Sequence, residues 1–135
     1  MALGELVLND TGQITGTRVI SSDSSGTTLE LSLVLSGTIR GVPHTTMWTY
    51  TTLTRSDGSM YGHGTAVLTT ESGDVVHLIG HGSGKANPGG AVKFLTMPHP
   101  HAATGQNADL NDIGLVGEYA VAADGTATNK NWEWK

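Results

Sequence analysis

Six histidines, at positions 44, 63, 77, 81, 99 and 101, stand beside three tyrosines in a chain of 135 residues that has no cysteine. An imidazole titrates near neutrality and a phenol can hydrogen-bond a developing oxyanion, so together they suit general acid–base work. A metal has to be weighed first. His77 and His81 lie four residues apart, roughly 13 Å along a strand at about 3.3 Å per residue, too far to share one ion. His99 and His101 flank Pro100 in a His-x-His pattern, but the residues just after them supply no acid to complete a ligand set. The sequence therefore predicts no metal and no cofactor. The missing thiols exclude disulfides, thiolate zinc sites and cysteine nucleophiles.

Other chemistries find less support. In Gly80-His81-Gly82-Ser83-Gly84 the serine falls one position too late for a G-x-S-x-G elbow, and Gly82-Ser83-Gly84-Lys85 lacks the four-residue spacing of a phosphate loop. The acids Asp10, Asp23, Asp57, Glu71, Asp74 and Asp124 read as turn residues, so no inward pair for glycoside chemistry is expected. Seven basic residues against twelve acidic ones give a net charge of −5. That is the wrong sign for gripping a phosphate backbone, so nucleic acid is not expected as a partner. No apolar run reaches the roughly eighteen residues a membrane span needs, and MALGELVLND lacks the build of a signal peptide. A cytoplasmic protein without a membrane partner is the expectation.

The elements that must position these groups are strands. Glycine and threonine supply 19 residues each, and charged residues fall to 14%, where about a quarter is ordinary. No stretch has the 3.6-residue period of a long amphipathic helix. Turn signals cut residues 1–135 into about nine strand-length pieces, and Leu29, Leu31, Leu33 and Leu35 alternate as a half-buried strand does. Hairpin succession in a single domain predicts an all-β, antiparallel up-and-down barrel of about eight or nine strands. Segment 98–113 is the one long irregular stretch and reads as a lid or binding loop.

Hairpin register then assigns faces. If Asp57-Gly58 is a two-residue turn, Thr52 opposes His63 and Trp48 opposes Val67. With Ser72-Gly73 as the next turn, one face collects Trp48, Tyr50, Tyr61, His63, Val67, Val76 and Leu78. Gly80 and Gly82 leave space beside them, so this face is expected to be the interior. The closing hairpin at Asp124-Gly125 would add Tyr119 and Trp132. The candidate catalytic set is His63 as acid or base with Tyr50 and Tyr61 as donors. The candidate ligand-binding set is Trp48, Val67, Leu78, Tyr119 and Trp132. The opposite face carries Met47, Leu53, His77, Ile79 and His81, apolar enough to predict a homo-oligomer.

The opening ELVLNDTGQITGTRVI, the glycine-terminated meander and the closing Asp-Gly hairpin resemble the small calycin-like barrels: avidins, lipocalins and the allene oxide cyclase group. The resemblance spans most of the chain and implies a barrel with a ligand-holding interior. It does not carry a ligand across. Of Trp48, Trp132 and Trp134 two stand at the C-terminus, unlike the tryptophan-walled avidin site, and residues 4–6 are Gly-Glu-Leu where lipocalins carry Gly-x-Trp. The expected function is to bind a small apolar or aromatic molecule inside the barrel, with cofactor-independent cyclase, isomerase or lyase chemistry. A non-catalytic carrier and a structural oligomer with a filled core are the alternatives.

Overall fold

The structure is a computed structural model that describes residues 2–135. Among them nine strands run in chain order: β1 (Leu3–Asp23), β2 (Gly26–Ile39), β3 (Val42–Arg55), β4 (Ser59–Thr70), β5 (Val75–Ala86), β6 (Val92–Thr96), β7 (His99–His101), β8 (Leu115–Val121) and β9 (Thr126–Trp134). A 3₁₀ segment, Gly105–Asp112, precedes β8. Every neighbouring pair is antiparallel, and β4 pairs with β5 to close the sheet into an eight-stranded barrel. β7 is the extra strand. It pairs with His77–Ile79 of β5, where β6 has already ended.

The register is set by loop length. Arg40-Gly41 is a two-residue turn with φ of 47° and 80°, both positive as a type I′ turn demands, and Ile39 pairs directly with Val42. The Asp-Gly turns are different. Gly58 and Gly125 have φ of 86° and 88°, but Arg40 and Ala102 are the only non-glycine residues with positive φ among those described. Asp57 and Asp124 therefore precede a left-handed glycine, in the pattern of a type I turn followed by a bulge. The loops that result have three residues: Thr54 pairs with Met60, and across the last turn Ala122 N donates to Thr126 O while Ala122 O accepts from Gly125 N. Each aspartate caps its own loop, Asp57 Oδ1 accepting from Ser59 N at 2.9 Å and Asp124 Oδ1 from Thr126 N at 2.9 Å. These hydrogen bonds hold both carboxyls below the usual carboxylate range.

An odd loop where an even one is expected shifts the partner strand by one residue, and one residue reverses every side chain on it. The face assignment for β4 is corrected accordingly. Trp48 opposes Ala66, Tyr50 opposes Gly64 and Thr51 opposes His63. On β9, Tyr119 opposes Asn129 and Val116 opposes Trp132.

Two apolar clusters fill the barrel. One holds Leu33, Leu35, Val121 and Ala127. The other holds Val7, Leu8, Ile39, Leu68, Val76 and Leu78 together with Ala103 and Leu110 of segment 98–113. That segment is not a lid over an open mouth. It plugs one end of the barrel, its Leu110 1% exposed, and is fastened from several sides. Asn111 exchanges two hydrogen bonds with the backbone of Ala103, and Arg40 makes a bidentate pair with Asp109 at 2.8 and 2.9 Å.

Candidate functional site

β4 and β5 point four glycines inward as two cross-strand pairs, Gly62 with Gly82 and Gly64 with Gly80. Four adjacent positions without side chains open the wall for rings from other strands. A Cβ on Gly80 would lie 3.1 Å from Trp48 Cη2, and one on Gly62 would lie 3.4 Å from Phe94 Cε1. The rings do not fill the space completely. A partly open cavity of about 70 Å³ remains, lined by Leu33, Leu35, Trp48, Tyr50, Phe94, Thr96, Pro98, Tyr119, Asn129, Asn131 and the stretches 62–64 and 80–82. Apolar cavities of about 150 Å³ hold benzene and a water needs about 10–15 Å³, so this one suits a few atoms of a flat molecule.

Its polar groups are few. Tyr50 and Tyr119 meet edge to face, ring centroids 5.6 Å apart, with their hydroxyls 2.9 Å from each other. Two hydroxyls share one bond, so one O–H remains free to donate. Burial pushes both phenols above their ordinary range, which keeps them protonated and makes them donors rather than bases. Asn131 is 1% exposed, and its Oδ1 has no hydrogen-bond partner among the described residues. It sits over Gly117, its cross-strand neighbour, where any Cβ would collide with that oxygen. Thr96 Oγ1 also lacks a partner. An acceptor left unsatisfied in this way costs about 1–3 kcal/mol, a cost that a ligand donor or a water would relieve.

Behind the cavity lies a second polar set. Asn129 Nδ2 donates to Asp10 Oδ1 at 2.8 Å, Asp10 Oδ2 lies 3.1 Å from His44 Nε2, and His44 Nδ1 is 2.8 Å from Thr46 Oγ1. The His44–Asp10 approach is close but not in line as a hydrogen bond. Gly37 stands between Asp10 and His44 in register, leaving the two side chains room to meet above it. The order carboxylate, imidazole, hydroxyl is that of a nucleophile relay. Asp10, His44 and Thr46 are all buried and none lines the cavity. What the set does is tie β1, β3 and β9 together inside the barrel.

Of the predicted site residues, Trp48, Tyr50 and Tyr119 point inward and line the cavity. Leu78 also points inward but packs in the plugged-end cluster. His63 belongs to the lining stretch 62–64, but its side chain alternates with those of Gly62 and Gly64 and points away, and Tyr61, Val67 and Trp132 do not line the cavity. The odd loops turn them to the outside, where the Tyr61 ring lies tilted beside His63, stacks on His81 and brings its hydroxyl to His81 Nδ1 at 2.9 Å. The expected constellation of His63, Tyr50 and Tyr61 is thus divided by the barrel wall. Sequence reasoning missed Phe94, Thr96, Asn129 and Asn131, and it read Asp10 as a turn residue. Asn129 and Asn131 could have been placed inside, with Lys130 outside between them, if the Asp124-Gly125 loop had been read as three residues long.

No protein-family model matches the chain, and no curated protein sequence does. Solved structures do. A protein with unknown function from Clostridium acetobutylicum superposes with a TM-score of 0.85 at 12% identity, covering 100% of both chains. A conserved protein of unknown function from Rhodopseudomonas palustris gives 0.79 at 15%, covering 99% of each. A beta-barrel like protein from Acinetobacter baumannii gives 0.75 at 10%, covering 97% of this chain and 96% of the other. At these identities the likeness is one of fold.

Proposed function

We propose that this barrel binds a small, flat, largely apolar molecule, or the apolar end of a larger one, carrying one hydrogen-bond donor and one acceptor. The observation that carries the reading is the buried, unpartnered Asn131 Oδ1 beside an unfilled aromatic cavity. The ligand's donor satisfies that oxygen, its acceptor takes the free O–H of the Tyr50–Tyr119 pair, and its ring packs between Trp48 and Phe94. Phenols and enols have this pattern. The resemblance to calycin-like and allene oxide cyclase-type barrels supports an interior ligand in the same way.

Binding without turnover is the reading the geometry favours. The side chains that present a proton to the cavity are phenols held neutral; His63 and His81 belong to the lining stretches but alternate with the inward glycines and so point outward, and His44, the inward histidine, lies outside the lining. A second reading, cofactor-independent isomerase, cyclase or lyase chemistry, is favoured by the tyrosine pair alone. A free O–H aimed at a developing enolate would stabilise it without a metal.

Titration of phenol against the protein, followed by tryptophan fluorescence, tests the binding. Asn131→Leu should weaken phenol about tenfold, the value of one buried hydrogen bond of roughly 1.4 kcal/mol. Equal affinity in both proteins, or no saturable binding, would overturn the assignment.

A further inference from the structure

The outer surface of β2, β3, β4, β5 and β7 forms a grid whose rows run straight across the strands. One row is Val34, Met47, Val67, His77 and His101, and the next is Ser32, Thr49, Thr65, Ile79 and His99. A third joins Glu30 to Thr51, His63 and His81. Among the described residues of these rows the one carboxylate is Glu30, already paired with Arg18, and there is no lysine or arginine. The opposite wall exposes Glu5, Lys93, Glu118 and Lys130. With the rows on either side the grid measures roughly 20 by 27 Å, the footprint of a specific interface at the lower end of the size range.

We infer that this face is where a second copy of the chain docks. Charge selects the occupant. The chain carries −5 overall, so two copies repel unless they meet on surfaces with little charge, and this wall meets that condition. Depletion of charged side chains at the centre, with methionine and aromatics present, is also what distinguishes interface cores from ordinary surface. Shape agrees. Met47, 61% exposed, stands on the rim of a wide, shallow depression whose walls also include Thr15, Ser32, Val34, Thr49, Thr65 and Val67. A two-fold axis through the grid places each Met47 in the other copy's depression, the self-complementary arrangement of an isologous dimer. It also gives the exposed Val34, Val67 and Ile79 a partner surface.

Sedimentation velocity of the full chain, from low micromolar to sub-millimolar concentration, reads the outcome. The native protein should sediment at twice its 14.0 kDa. Met47→Glu with Val67→Glu should raise the dimer dissociation constant roughly a hundredfold or more, because like charges then face each other without water. Thr128→Glu, on the opposite wall, should leave the dimer intact. A monomer throughout the range, or a dimer indifferent to the paired glutamates, would overturn the inference. Should the double variant fail to fold, Met47→Cys serves instead. The native chain has no thiol, so oxidation should give a covalent dimer from Met47→Cys and not from Thr128→Cys. Covalent dimer formed equally from both variants would count against the assigned face.

Discussion

Asp10 and His44 face each other above Gly37 in the barrel interior, with Asn129 and Thr46 completing their hydrogen bonds. Two ionisable groups taken out of water are tolerated because each is the other's partner. Removing one leaves the other buried without that partner, at a cost of about 1–3 kcal/mol, while replacing both removes the problem along with the pair. His44→Leu should therefore lower the unfolding free energy by about that amount in urea denaturation, and Asp10→Asn with His44→Leu should recover part of it. A loss below about 1 kcal/mol in the single variant would mean the contact is slack. Little of this was legible in the sequence. Asp10 precedes Thr11-Gly12 and looks like a turn residue, yet β1 continues for 21 residues through that point. A glycine in mid-strand that makes room for neighbours and one that ends a strand have the same letter.

At the level of the hairpin, loop length decides what each side chain can do. Leu29 to Leu35 alternate within one strand, so their common face could be read directly, and Leu33 and Leu35 are buried in the core as that pattern implies. Faces on neighbouring strands depend on the turn between them. Asp-Gly fits both a two-residue turn with two positive φ angles and a three-residue loop with one, and here the second holds at both sites. That single residue placed His63 and Trp132 outside and Asn129 and Asn131 inside.

The glycine-lined wall gives the prediction proper to this scale. A Cβ at Gly64 would run into the Thr49 carbonyl and Tyr50 backbone, whereas one at Gly62 would make ordinary contact with Phe94. Gly64→Ala should cost about 2 kcal/mol or more in thermal or urea unfolding. Gly62→Ala should cost less than about 1 kcal/mol and still weaken phenol, because its methyl occupies cavity space. Equal destabilisation by the two substitutions would contradict the positions assigned to these strands.

The whole molecule is a closed barrel with one end plugged by segment 98–113, an interior cavity beside four inward glycines, and one wall without formal charge apart from the Glu30–Arg18 pair at its margin. Barrel closure separates those two surfaces, the inside that we propose for a small molecule and the uncharged wall that we propose for a second copy. The antiparallel order of the hairpin-linked strands followed from turn spacing, since hairpins impose sequential neighbours, but the pieces either side of Thr11-Gly12-Gln13 are one strand and β7 lies in the stretch read as irregular. The plug did not follow, because its hold on the core rests on Leu110, Ala103 and side-chain hydrogen bonds that local pattern does not announce.

The most direct measurement of the binding claim is an NMR titration of the labelled protein with phenol, which reports where a ligand sits as well as whether it binds. The account predicts saturable shifts in the Asn131 carboxamide, the Trp48 indole N–H and the amides of Gly62 and Gly80, all absent in a Gly62→Leu variant. Shifts confined to the outer residues Met47, Val67 and His77, or no saturable shift at all, would contradict it.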